Sequence, residues 1–151
     1  MVLSSNAVAE TSSGAVGLEP GALLDYGVVG GRARFTINPL PGAKSAQFQW
    51  RLNRAILESQ GKKTFTLSDR NGVVMQTVDI KGRACGPPCS GYVGPSADLQ
   101  TMVIDRNPNV TSGDFLEVDV IAIWTLKSGT VVRREYRIYG NFGSAMTVMT
   151  L

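Results

Sequence analysis

The chain contains no histidine. That absence removes the side chain most often used as a general base near neutral pH, and the commonest metal-ligating imidazole. Serine and cysteine triads that rely on histidine go with it. Cysteine is almost as scarce. The two present, Cys85 and Cys89, sit within Arg83-Ala84-Cys85-Gly86-Pro87-Pro88-Cys89-Ser90-Gly91. Two thiolates alone cannot close a tetrahedral zinc site. Their spacing is one residue longer than a redox Cys-x-x-Cys, and no βαβ pattern surrounds them. A small disulfide loop at an exposed tip and two free thiols both fit this spacing. No metal or cofactor is expected.

Charge is also thin, at 18% of residues against roughly 25% in an ordinary globular chain. The first 31 residues hold Glu10, Glu19 and Asp25 and no Lys or Arg, a net charge of −3. The other 120 residues hold all 15 basic residues and nine acidic ones, a net charge of +6. Basic arms that neutralise packaged nucleic acid gather Lys and Arg in flexible tails, and this N-terminus does not. No apolar run is long enough for a helical membrane span. No basic n-region leads into an apolar stretch at the start. The expectation is a protein made in the cytoplasm without a signal peptide and without a membrane partner. Asn109-Val110-Thr111 matches a glycosylation triplet, read here as an ordinary turn.

What is present is strand. Leu116, Val118, Val120, Ala122, Trp124 and Leu126 share one parity, with Glu117, Asp119 and Thr125 on the other and Ile121 and Ile123 interrupting the polar face. A strand of this kind is covered on one side throughout and on both sides at its centre. Lys127-Ser128-Gly129-Thr130 turns the chain, and Val132, Tyr136 and Ile138 carry the alternation back. Similar short runs surround Phe35, Trp50, Phe65 and Val78, with Asp69-Arg70-Asn71-Gly72 as a further turn. Trp50 and Trp124 fall in phase with apolar neighbours and are expected in the core. The one helical candidate is Leu52 to Gln60, closed by Gly61, which also reads as a continuation of the Trp50 strand.

At 151 residues the chain is long enough for one domain with a sizeable core. The pattern predicts an all-β, single-domain antiparallel β-sandwich, jelly-roll or immunoglobulin-like, with at most one short helix. Residues 25–151 form the sandwich in this reading. Residues 1–24 lack a sustained period and are read as an extended arm, lying along its own domain or across a neighbour. Val16, Leu18, Leu23 and Leu24 are its candidate assembly residues.

Function is narrowed by exclusion. Asp69, Asp79, Asp98, Asp105, Asp114, Glu117 and Asp119 leave room for a carboxylate-pair enzyme, but Glu117 and Asp119 on one strand face more often mark a solvated surface. Gly27-Val28-Val29-Gly30-Gly31 lacks the Lys-Ser or Lys-Thr of a phosphate loop. Arg133, Arg134 and Arg137 form a candidate basic patch for nucleic acid, split by strand alternation between two faces. Cys85, Cys89 and Tyr92 form a candidate binding loop. The segment from Gly113 to Val120 resembles the Gly-x-Leu-x-Val strand of small viral jelly-roll coats, over less than a tenth of the chain. Sparse charge and an arm without its own fold point the same way. The expected function is a virion structural protein, located in the virion, as a self-associating coat subunit or a capsid-decorating sandwich. Its partners would be other copies of itself or a shell protein, with nucleic acid a lesser alternative. A carbohydrate- or cell-surface-binding module using Tyr92 is the rival. The chain is not expected to be an enzyme.

Overall fold

The computed structural model describes residues 11–107 and 113–151. The expected turn at Asn109-Val110-Thr111 lies outside them, as do the first ten residues of the expected arm. Strands β1 (Thr11–Leu18), β2 (Ala22–Val29), β3 (Arg32–Ile37), β4 (Ala43–Ile56), β5 (Lys63–Ser68) and β6 (Val74–Ile80) come first. They are followed by β7 (Ala84–Cys85), β8 (Val93–Ser96), a 3-10 turn (Ala97–Gln100), β9 (Thr101–Asn107), β10 (Phe115–Leu126), β11 (Val131–Asn141) and β12 (Thr147–Thr150).

The first sheet has the order β1-β2-β3-β9-β5-β6, and the second β12-β11-β10-β4-β7, with β8 also paired to β4. Every pairing is antiparallel. The sheets pack through Phe35, Phe65, Leu67 and Ile104 on one side and Trp50, Val120, Trp124 and Tyr136 on the other, all fully buried. The chain is therefore an all-β sandwich, as the alternation predicts. The two tryptophans are core residues, and Trp50 Nε1 donates to the Leu99 carbonyl at 2.6 Å.

Two expectations need correction. Leu52 to Gln60 is not a helix, because β4 continues to Ile56. A register shift against β10 lies between Glu117 and Val118, so Val118 faces Leu52 while Glu117 faces Arg54 and Asn53 is the extra residue. Before it Phe48, Trp50 and Leu52 point inward, and after it Ala55 and Leu57 do. A bulge that switches inward parity from even to odd imitates the i, i+3 spacing of a helix.

The stretch 1–24 is not an arm over its described part. Thr11–Leu18 forms a complete ladder with Ala22–Val29. Leu18 and Leu24 are buried in the core, and Val16 packs against it, half-buried. Only Leu23 of the four candidate residues is exposed, at 39%. The alternation was concealed by Gly14, Gly17, Pro20 and Gly21, which break up the apolar pattern in sequence.

The edges of the second sheet are treated unevenly. At 14 residues β4 is too long for one short partner. On the side away from β10, β8 covers Phe48 and Trp50 while β7 covers Ala55 and Ile56. Between them the Cys89 amide donates to the carbonyls of Leu52 and Asn53 at 3.1 and 2.9 Å, and the Ser90 amide to Leu52 at 3.1 Å. The edge is closed along this stretch.

Candidate functional site

The densest polar arrangement lies on the outer face of the second sheet. Strands β4, β10 and β11 bring Arg51, Asp119 and Arg137 side by side, because Asp119 is the ladder partner of both arginines. Its Oδ1 accepts from Arg137 Nε at 2.8 Å, and its Oδ2 accepts from Arg51 Nε at 2.9 Å and Arg137 Nη2 at 3.1 Å. The Asp119 side chain is 0% exposed. One row along the strands, Glu117 accepts from Asn53 Nδ2 at 2.5 Å and lies 3.6 Å from Arg54 and 3.7 Å from Arg137. The bulge aims Asn53 at that carboxylate while its neighbour Leu52 fills the core.

Aromatic rings flank the network. The Arg51 guanidinium stacks over Tyr92 at 4.6 Å, and that of Arg54 lies 5.4 Å from the Phe115 ring. Burial pushes the Tyr92 phenol above its ordinary pKa, with the Arg51 charge opposing. The hydrogen bond to Asp119 holds the Arg137 guanidinium above its ordinary value. Pro87 and Pro88 wall one side of a shallow pocket of about 370 Å³, floored by Arg51, Asn53, Arg54, Glu117 and Arg137.

Cys85 and Cys89 are joined by a disulfide. Gly86, Pro87 and Pro88 between them are exposed, while both cysteines are half-buried against the core. The loop is an exposed tip on a root that seals the β4 edge. Tyr92 is half-buried, and Arg51 lies across its ring. The loop and Tyr92 are thus brought to the same pocket, but the ring is not a free platform.

The three arginines of the candidate basic patch are divided, as the alternation implies. Arg133 and Arg137 lie on the outer face and Arg134 on the other. Each has a carboxylate: Arg133 pairs with Glu135 at 2.8 Å, Arg137 with Asp119 at 2.8 Å, and Arg134 with Glu19 at 3.2 Å. Sequence reasoning placed Glu117 and Asp119 on one face but read that face as solvated. It did not single out Arg51, Arg54 or Asn53. The signal was present in the matching polar faces of three strands, Gln47-x-Gln49-x-Arg51, Glu117-x-Asp119 and Arg133-x-Glu135-x-Arg137. Buried carboxylates need cations, and only neighbouring strands could supply them.

Chemically, the arrangement is an ion network saturated at Asp119, with Arg54 Nε buried and without a hydrogen-bond partner among the described residues. Both oxygens of Asp119 are occupied by guanidinium donors, so the group is held as an acceptor and not presented as a base. Among the described residues no cluster of three or more metal-ligating side chains occurs, and no helix is long and apolar enough to cross a membrane. No family model, curated protein or solved structure matches the chain.

Proposed function

We propose that the chain is a self-associating shell subunit, a virion coat or capsid-decorating protein that works through contacts between copies. One observation carries the reading. The β4 edge is closed by two strands and a disulfide loop, whereas β6, at the end of the first sheet, has no strand on its free side among the described residues. Val73, Val74 and Met75 stand consecutively exposed there, at 54%, 54% and 40%. Soluble monomers blunt such edges with charge or proline. The only charge on this strand is Asp79, which is already engaged by Lys62 at 3.7 Å and Thr64 at 3.0 Å.

The occupant that fits is a second copy of the same strand. A two-fold pairing centred near Gln76 sets Asp79 opposite Val73, so no like charges meet. The step from pairing to a shell is supported by the sparse charge of the chain and by the Gly113–Val120 segment, which leads into the central strand β10 and forms its first half. Occupation of every carboxylate oxygen of Asp119 supports a structural role for the polar network. The rival sugar-binding reading is weakened by Arg51 lying on Tyr92.

Light scattering with electron microscopy of the purified full chain tests the proposal. Closed particles or defined oligomers are expected, and a Val74→Lys/Met75→Lys variant is expected to remain folded by circular dichroism but to dissociate. A wild-type monomer at all concentrations, or a double variant that assembles unchanged, overturns it.

A further inference from the structure

The outer face of the first sheet carries a second set of arginines, and these are not neutralised in the same way. Arg32 and Arg34 of β3 are exposed. In ladder register Arg34 is followed by Val103 and Ser68, and Arg32 by Asp105 and Thr66. Arg70 projects from the turn between β5 and β6. That turn is fixed because Asp69 Oδ1 accepts from the amides of Asn71 and Val73, each at 2.9 Å. The three arginines, Thr66, Ser68, Asp69, Val103 and Asp105 line one groove of about 320 Å³.

The charges in the groove do not cancel. Asp69 is buried at 6% and committed to its own turn. Asp105 is held by Arg32 at 2.9 Å. Arg34 and Arg70 have no ion pair or hydrogen bond among the described residues, unlike the arginines of the other sheet. A second feature points to a ligand. Gly27, the ladder partner of Arg34 in the middle of β2, has open space where a Cβ would stand. Its φ is not positive. Nothing inside the fold asks for glycine here, and glycine weakens a strand interior. Such a position leaves room for a close approach from outside. The row Ser13, Gly27, Arg34, Val103, Ser68 crosses five strands, about 19 Å at ~4.8 Å per strand spacing, and its Arg34, Val103 and Ser68 end lies in the groove.

From this placement we infer that the outer face of the first sheet binds the phosphate groups of a single-stranded nucleic-acid backbone, with Arg34 and Arg70 as the phosphate contacts and Arg32 beside them. Guanidinium forks match phosphate oxygens in pairs. The aromatic residues of this sheet, Tyr26, Phe35 and Phe65, all point into the core, so no ring is offered for base stacking. Binding is therefore sequence-independent and strongly salt-dependent. The inference does not rest on assembly, although Val74 lines both this groove and the proposed pairing edge.

Fluorescence anisotropy with labelled polyuridylate tests it on the full chain. Loss of two phosphate contacts in R34Q/R70Q should weaken binding at least about tenfold and flatten the log–log salt slope by about 1.4, at ~0.7 per contact for single strands. R34K/R70K, which keeps charge and loses the fork, should fall between, and decides the matter if the Gln variant does not fold. R133Q/R134Q should change affinity by less than about twofold, because those arginines are already paired. No binding by the wild type, or equal loss in the two Gln variants, overturns the assignment. So does inorganic phosphate competing at the concentration of the oligonucleotide, which would make the groove a small-anion site. Tighter binding of heparin, with the same loss, would reassign it to sulfated glycans.

Discussion

The Tyr136 hydroxyl, on β11 of one sheet, donates its hydrogen bond to the main-chain carbonyl of Glu19 in the β1–β2 turn of the other. This contact ties the N-terminal hairpin to the last long strand. Burial raises the phenol from 10.0 to about 12, with the Glu19 charge adding to the shift and Arg134 opposing it. The folded protein thus holds this proton more tightly than the unfolded chain does. The resulting stabilisation is complete below about pH 10 and is lost as pH rises toward about 12. Chemical denaturation across this range should show falling stability in the wild type and a flatter profile in Tyr136→Phe. Identical profiles would show that another group titrates.

Removing Leu24 should test whether the hairpin belongs to the core. Leu24 is 0% exposed, so Leu24→Ala should cost about 2–5 kcal/mol, whereas Leu23→Ala, at 39% exposure, should stay within about 1 kcal/mol. Deletion of residues 1–24 removes Leu18, Ala22 and Leu24 together and should leave no cooperative thermal transition. A truncated protein that melts like the wild type would contradict this.

Asp119→Ala should be among the most damaging single changes on the outer face. It leaves Arg51 and Arg137 facing each other without their shared carboxylate, at a cost of about 3–5 kcal/mol as for other broken buried pairs. Urea unfolding measures it. A loss under about 1 kcal/mol would show that solvent replaces the carboxylate.

The two tryptophans should respond differently to phenylalanine. Trp50→Phe strands the Leu99 carbonyl that now accepts from the indole, adding about 1–3 kcal/mol to the loss of ring volume. Trp124 Nε1 is buried with no hydrogen-bond partner among the described residues, so Trp124→Phe loses volume only. Thermal melts of both variants should rank Trp50→Phe lower, and the reverse order would refute the account.

At the disulfide loop, Gly86 has φ +79° and a Cβ there would lie 2.1 Å from the Asn53 carbonyl oxygen. Gly86→Ala should therefore disturb the loop more than Cys85→Ser/Cys89→Ser, which removes a short ring worth about 2 kcal/mol. Amide exchange at Cys89 and Ser90 reports both, since these amides bond the β4 edge. Faster exchange in the double serine variant than in Gly86→Ala would reverse the ranking.

The sandwich was legible in sequence because burial on one face imposes a period of two. Residues 115–126 and 131–141 show that period almost without interruption. The hairpin of β1 and β2 was not legible, because glycine and proline occupy places where apolar residues would have carried the signal. The bulge at Asn53 was hidden for another reason. Local spacing of Leu52, Ala55 and Ile56 is common to a helix and to a strand that changes parity, and only pairing with β10 distinguishes them. The ion network depends on strand neighbours that no local window contains. Its residues were visible one strand at a time, and its meaning was not.

The sheet order has a consequence for the timing of folding. Phe48 waits for Ala122, and Arg32 waits for Asp105. During synthesis the first sheet cannot close before β9, nor the second before β10, has left the ribosome, more than a hundred residues into the chain. Until then the β1–β2–β3 meander, the β5–β6 hairpin and the short pairings of β4 with β7 and β8 have their partners at hand, with apolar faces uncovered. Such non-local pairing favours refolding in milliseconds to seconds and a need for protection of the nascent chain. Stopped-flow tryptophan fluorescence should show this slow phase, and microsecond refolding would rule it out.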